Sequence, residues 1–127
     1  MNINQYDDQK RKSGIWEEYF SDGKLSNTGE YKNGQKTGEW KYYLRNGNLK
    51  ANGQYENDKM TGEWTFFRKN GELWQIGRFE NDLKEGLWKR YHENGQLYDE
   101  GEYTTGKKTG VWKTYTEDGS LTRTKKF

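Results

Sequence analysis

The sequence contains neither cysteine nor proline, and only one histidine, His92. Without thiols there is no disulfide, thiolate metal site, thiol nucleophile or lipidated cysteine. With one imidazole, zinc would need carboxylates alone, and no histidine is placed to serve a serine triad as base. Hydrophobic residues are scarce, at 28%, and mean hydropathy is −1.50. No stretch approaches the roughly 18 apolar residues of a spanning helix. The opening Met1-Asn2-Ile3-Asn4-Gln5 lacks the apolar segment of a signal peptide. A cytoplasmic protein without stable membrane insertion is expected. Charge of one sign is also lacking: 22 basic and 20 acidic residues are interspersed, for a net +2. That leaves no global field to gather nucleic acid, and no nucleic-acid partner is expected. The basic runs Lys10-Arg11-Lys12 and Lys125-Lys126 read as solvated ends.

Glycine and aromatic residues are abundant, and they are strictly placed. Trp16, Trp40, Trp64, Trp88 and Trp112 recur every 24 residues. Gly14, Gly38, Gly62, Gly86 and Gly110 stand two positions before them, and Tyr19, Tyr43, Phe67, Tyr91 and Tyr115 three after. Each unit then carries Gly23, Gly47, Gly71, Gly95 or Gly119, followed two residues on by Leu25, Leu49, Leu73, Leu97 or Leu121. It closes on Tyr31, Tyr55, Phe79, Tyr103 or Phe127. Gly29, Gly53, Gly77 and Gly101 precede the closing aromatic by two, and Lys125 takes that place in the last unit. A fixed period of this length means a stacked array with one supersecondary unit per repeat. A composition this polar leans toward disorder, but 21 aromatic residues can order a thin structure without a thick aliphatic core.

Each unit holds two short aromatic-bearing runs joined by Asp-Gly or Asn-Gly, the strongest local hairpin signal. Glycine recurs too often for helices, and no apolar period near 3.6 is present. The fold class predicted is all-β: a single-layer antiparallel array of five 24-residue hairpins, about ten strands, forming a twisted, elongated sheet. A lead-in or cap at 1–13 precedes units at 14–37, 38–61, 62–85, 86–109 and 110–127. A two-residue turn at Asp22 and Gly23 pairs Phe20 with Leu25 and sets Trp16 opposite Gly29. Trp16, Leu25, Gly29 and Tyr31 then share a face, and Tyr19 takes the other. A three-residue turn with a bulge would shift the pairing by one. The match of every Trp with a Gly, an aromatic-rescue arrangement, favours the first register. Lys125 suits a terminal unit, its stem covering Trp112 and its ammonium in water.

The string Gly-Glu-Trp-Lys-Tyr-Tyr-Leu-Arg-Asn-Gly-Asn-Leu (38–49), continued by Gly53-Gln54-Tyr55-Glu56-Asn57, resembles the bacterial variant of the MORN repeat. Residues 14–127 fit that pattern in all five units, departing at Asp58, Asp82 and Lys125. The resemblance implies a non-catalytic partner-binding module. Compact bacterial arrays of this variant resemble antitoxin or immunity proteins paired with toxins. A general MORN scaffold or self-assembly module is the alternative, and the Gly-x-Trp-x-Tyr-Tyr string followed by Asn-Gly is also similar to choline- and cell-wall-binding repeats. A toxin or effector protein is the partner this resemblance implies.

No enzyme activity, metal or cofactor is expected. Adjacent carboxylates such as Glu17 and Glu18 point to opposite faces of a strand, and the glycine spacings lack the lysine of a phosphate loop. Constant columns hold the fold, so a specific site should use residues that break them. Trp74 is the clearest, since its column otherwise holds Ser26, Lys50, Tyr98 and Thr122. The favoured register puts Trp74 opposite Phe67 with Ile76 one step along the same face, and Tyr98 facing Tyr91. Phe66 and Tyr42 form a second cluster with Arg90 adjoining. Aromatics and arginine are the usual interface hot spots. Trp74, Tyr98, Ile76, Phe67, Phe66, Tyr42 and Arg90 are therefore the candidate partner-binding residues.

Overall fold

The computed structural model describes residues 2–127; the expected lead-in 1–13 begins at Met1, which lies outside the described residues. The strands are β1 (Gln5–Tyr6), β2 (Lys12–Tyr19), β3 (Leu25–Lys32), β4 (Gln35–Tyr43), β5 (Leu49–Glu56), β6 (Lys59–Phe67), β7 (Leu73–Glu80), β8 (Leu83–Tyr91), β9 (Leu97–Thr104), β10 (Lys107–Tyr115) and β11 (Leu121–Lys126). All pair antiparallel with their sequence neighbours in one sheet of 11 strands, and no helix forms among the described residues. The strand beyond the expected ten is β1, which pairs Tyr6 with Lys12.

Two turn types alternate. Between units the chain reverses over two residues that both have positive φ, as at Asn57 (50°) and Asp58 (71°). That is the hairpin turn whose twist matches the strands. It explains why Asp58 and Asp82 can replace glycine: Asn and Asp tolerate this region better than other side chains. Each aspartate also accepts a hydrogen bond from a backbone N–H 22 residues earlier, Asp58 from Lys36 N at 2.9 Å and Asp82 from Met60 N at 2.7 Å.

Within a unit the loop has three residues, 21–23 in the first, closed by Gly23 N donating to Phe20 O and Phe20 N to Lys24 O. The expected two-residue turn is therefore wrong, as is the pairing of Phe20 with Leu25: Tyr19 pairs with Leu25 instead. One extra residue, Ser26, then restores the count, so that Trp16 does pair with Gly29. Leu25 consequently shares the face of Tyr19, not that of Trp16. The same shift corrects two further pairings. Leu73, not Trp74, lies opposite Phe67, and Leu97, not Tyr98, lies opposite Tyr91. Trp74 and Tyr98 are the extra residues of their bulges.

The glycine seats work differently from the expected rescue within one hairpin. A Cβ on Gly29 would lie 2.1 Å from Cδ2 of Trp40, and one on Gly53 2.0 Å from Cδ2 of Trp64. The indole on each glycine thus belongs to the following unit. The cause is a wide bulge: Thr28 pairs with Lys41 and Glu30 with Thr37, leaving Gly38, Glu39 and Trp40 against Gly29 alone. Gly38, at φ 69°, supplies the backbone that L side chains resist, and so redirects the indole across the interface. Each indole N–H then donates to the residue after the seat: Trp40 to Glu30 O, Trp64 to Gln54 O, Trp88 to Arg78 O and Trp112 to Glu102 O, at 3.0–3.2 Å. Trp16 donates to Gln5 O at 3.0 Å, so β1 stands in for a preceding unit.

Between successive tryptophans stands the closing aromatic of the unit. Edge-to-face contacts run unbroken through Tyr6, Trp16, Tyr31, Trp40, Tyr55, Trp64, Phe79, Trp88, Tyr103, Trp112 and Phe127, at 5.1–6.4 Å between centroids. Trp40 and Trp64 are each 1% exposed, so a one-layer sheet still contains a dry core. Burying one such ring stabilises by roughly 4–6 kcal/mol before the cost of ordering it. Lys125 occupies the seat position of the last unit, pairs with Trp112 and places its ammonium 4.9 Å from the Phe127 centroid. A lysine there seats no further indole.

Gly53→Ala should lower stability by at least the ~1–3 kcal/mol of an overpacked core, whereas Lys125→Ala should change it by less than about 0.5 kcal/mol. Urea melts read both, and wild-type stability in Gly53→Ala would remove the seat. A second expectation concerns alkali. The Tyr42 and Tyr55 hydroxyls are 2.8 Å apart, and burial above all raises both from the usual value of 10.0. The protonated forms are favoured by folding, so their contribution is whole below about pH 10 and is lost as pH climbs through the raised values. Phe66 and Phe79 hold the equivalent positions one unit on. Tyr42→Phe with Tyr55→Phe should therefore fold, and should lose less urea resistance between about pH 8 and about pH 11 than wild type. Equal losses would assign the alkaline slope elsewhere.

Candidate functional site

The tryptophan face carries a lysine ladder beside the aromatic one. With each unit counted from four residues before its tryptophan, residues 12, 36, 84 and 108 are lysines, with ammonium groups 4.6–4.9 Å from the indole of that unit. Met60 takes the place in the third unit and packs into the apolar core. The column beside it holds Glu18, Tyr42, Phe66, Arg90 and Thr114. Its members face Asn27, Ala51, Gln75, Asp99 and Arg123 across the hairpin.

Arg90 is where the surface becomes most featured. Its guanidinium grips Asp99 as a fork, Nε to Oδ1 at 3.0 Å and Nη2 to Oδ2 at 2.6 Å. Asp99 is 5% exposed, and its pairing raises Arg90 further above the usual arginine value. A buried carboxylate needs such a partner. Arg90 also lies 5.2 Å over the Tyr98 ring, which meets His92 edge-on at 4.9 Å. Three depressions meet at Arg90. One of about 100 Å³ runs between Lys84, Trp88, Tyr103, Lys108 and Trp112. One of about 190 Å³ reaches Arg123, Lys125 and Phe127. The widest, about 550 Å³, is bordered by Arg68, Trp74, Tyr91, His92, Tyr98 and Glu117.

The candidate residues therefore divide. Trp74, Tyr98 and Arg90 border one depression. Trp74 is 39% and Tyr98 37% exposed, and Trp74 has no ring partner in the ladder. Ile76 does not join them: it pairs with Thr65 and Lys89 and borders a separate depression with Leu87 and Tyr91. Phe67 pairs with Leu73 and is half-buried. Phe66 stacks on Trp64 at 6.0 Å, and Tyr42 lies 6.3 Å from both Trp40 and Trp64, so these two thicken the core. Position along a strand cannot separate these cases, because the bulges decide which way each side chain points.

Lys84, Lys108 and Asp99 do not stand out in the sequence taken column by column. The Trp–Gly register nevertheless pairs Arg90 with Asp99, the one opposite-charge pair among the five such facing positions. Arg68 and His92 also do more than their variable column suggests. Arg68 donates to Tyr91 O and His92 Nε2 bonds Tyr115 O, both at 2.8 Å, tying one unit to the next.

Among the described residues no group of three or more His, Cys, Asp or Glu side chains could hold a metal ion. No helix is long and apolar enough to cross a membrane. Among curated proteins, none matches the sequence. A crystal structure of the GtfA/B complex bound to UDP and GlcNAc contains a similar chain, 14% identical over 84% of this chain and 21% of that one, with a TM-score of 0.32. This chain spans about a fifth of that one's length, and the likeness is too loose to inform fold or function. The MORN repeat variant, by contrast, matches residues 12–33, 36–57, 60–81, 84–104 and 108–127, which include every tryptophan of the ladder and its glycine seats. The chain belongs to the MORN repeat variant family.

Proposed function

We propose that this protein is a non-catalytic binding module that occludes a protein partner, and that the partner is a toxin for which it serves as antitoxin or immunity protein. The repeat type is in general non-enzymatic. The observation that carries the binding reading is the cluster of Trp74, Tyr98 and Arg90. These side chains border one depression; other units carry Ser26, Lys50 and Thr122 in the column of Trp74 and Tyr98, and Glu18, Tyr42, Phe66 and Thr114 in that of Arg90. Trp74 and Tyr98 are both exposed large side chains at the rim of the same depression, and contiguous exposed apolar surface marks interaction sites. Trp, Tyr and Arg are also the residues that dominate protein interfaces.

The toxin rests on the likeness of compact bacterial arrays of this repeat to such proteins. A toxin frame beside the gene would support it over a general scaffold. A choline-binding role has less support, because the ring faces that would form its cage are in use. The Trp40 ring rests on Gly29, with the Lys36 ammonium 4.9 Å from its centroid, and Trp88 and Trp112 are arranged alike.

Trp74→Ala should weaken partner binding by about 2 kcal/mol or more, the usual hot-spot level, and leave the melting temperature near wild type. Calorimetric titration with the co-purified partner, beside a thermal melt, reads both. Lower stability with unchanged affinity would make Trp74 a structural side chain and remove it from the site.

A further inference from the structure

The lysine column gives an internal comparison across the five units. In the first, Lys12 Nζ pairs with Glu18 at 3.6 Å. In the second, Lys36 Nζ donates to the Tyr42 hydroxyl at 3.2 Å. In the third, apolar Met60 accompanies apolar Phe66. The neighbour suits the column each time. In the fourth unit it does not. Lys84 stands beside Arg90, and the cavity they share also holds Lys108, whose own neighbour Thr114 carries no charge.

Neither Lys84 nor Lys108 makes an ion pair or side-chain hydrogen bond among the described residues. Burial, then the charges of Arg90 and Lys108, hold Lys84 below the usual lysine value. Asp99 is the sole carboxylate bordering the cavity and its neighbour, and Arg90 already engages both its oxygens. The neighbouring depression adds Arg123 and Lys125. Like charges gathered where the other units place complements form a local conflict of the kind found at functional sites. An anion would resolve it.

We propose that the notch between Lys84, Arg90 and Lys108 receives a carboxylate side chain from an acidic segment of the protein partner. The notch, about 100 Å³, admits one small anionic group between walls formed by Trp88, Tyr103 and Trp112. Lys84 and Lys108 are the second residues of β8 and β10, two strands apart in the sheet, so their stems rise roughly 10 Å from one another and can close on it from both sides. Arg90 is shared with the Trp74 and Tyr98 depression, so a partner covering those rings reaches the notch without a gap. The assignment builds on the protein-binding reading and specifies the chemistry of the surface that fits it. Nucleic acid suits the notch less well. Trp88 and Trp112 are 2% and 7% exposed and offer no open face on which a base could stack.

Titrating the protein with oligoglutamate, matched oligoglutamine and oligothymidylate tests this without the partner. The read-out is the set of indole N–H resonances in protein labelled at tryptophan. Oligoglutamate should move Trp88 and Trp112 and leave Trp16 and Trp40 in place, and oligoglutamine should move none. Lys84→Met with Lys108→Met, which copies the methionine the column already carries at Met60, should weaken oligoglutamate binding by about tenfold or more. Lys36→Met should not. Lys84→Met should also melt at or above the wild-type temperature, because it removes a charge that Arg90 repels.

The proposal is overturned by equal oligoglutamate affinity in the double variant, by shifts centred on Trp16 or Trp40, or by oligothymidylate binding as tightly as oligoglutamate. A lower melting point in Lys84→Met would equally overturn it, since the lysine would then be structural. Loss of the acidic preference leaves the Trp74 result standing, and an ineffective Trp74→Ala leaves this one standing, so each reading can fail alone.

Discussion

An indole resting on a bare glycine of the preceding unit is the interaction on which this structure depends. The glycine gives up its side chain so that the ring can reach van der Waals contact with the backbone. The ring then closes the interface by donating its N–H to the next carbonyl along. The pair recurs at all four junctions between units, and each of those tryptophans has a positive-φ glycine two positions before it. That glycine holds the positive φ within the bulge at which the indole crosses to the neighbouring unit. Three positions per unit therefore specify the stacking of a chain that is only 28% hydrophobic.

That economy has a consequence for function. Each unit meets only its neighbours, so stability is close to a sum of unit and interface contributions. Positions outside the ladder can then vary without loss of the fold. The columns at 18, 26 and 27 do so most informatively. In the fourth unit they bring Arg90, Tyr98 and Asp99 together, and one unit earlier they place Trp74 at the rim of the same depression. The rigid ladder underneath fixes these side chains without loops, lids or a second layer.

Much of this is legible from residues alone. The 24-residue period defines the unit, the Asn-Gly and Asp-Gly steps mark the hairpins, and the coincidence of Trp16 with Gly29 sets the register. Two compensating irregularities conceal the rest. The three-residue loop and the extra residue at Ser26 cancel, so the far ends of the strands pair as a simple turn would have them. Near the turn the faces are exchanged, which separates Ile76 from Trp74. The identity of the indole on each glycine is hidden for a related reason. A hairpin register states which residues are opposite one another within a unit and says nothing of a bulge on the far edge of the same strand. The charged notch escapes notice because lysine at 84 and 108 looks like repetition until the neighbouring column is laid beside it.

Trp40, Trp64, Trp88 and Trp112 each cover the glycine of the unit before. Nuclear Overhauser contacts from the Trp64 ring protons in the unmodified protein test this most directly, because two glycines compete for them. Gly77 is paired with Trp64 within its own hairpin, and Gly53 lies across the interface between units. The account predicts strong contacts to the Gly53 α-protons and weaker ones to those of Gly77. Strong contacts to Gly77 with none to Gly53 would contradict it, and would return the indole to its own hairpin.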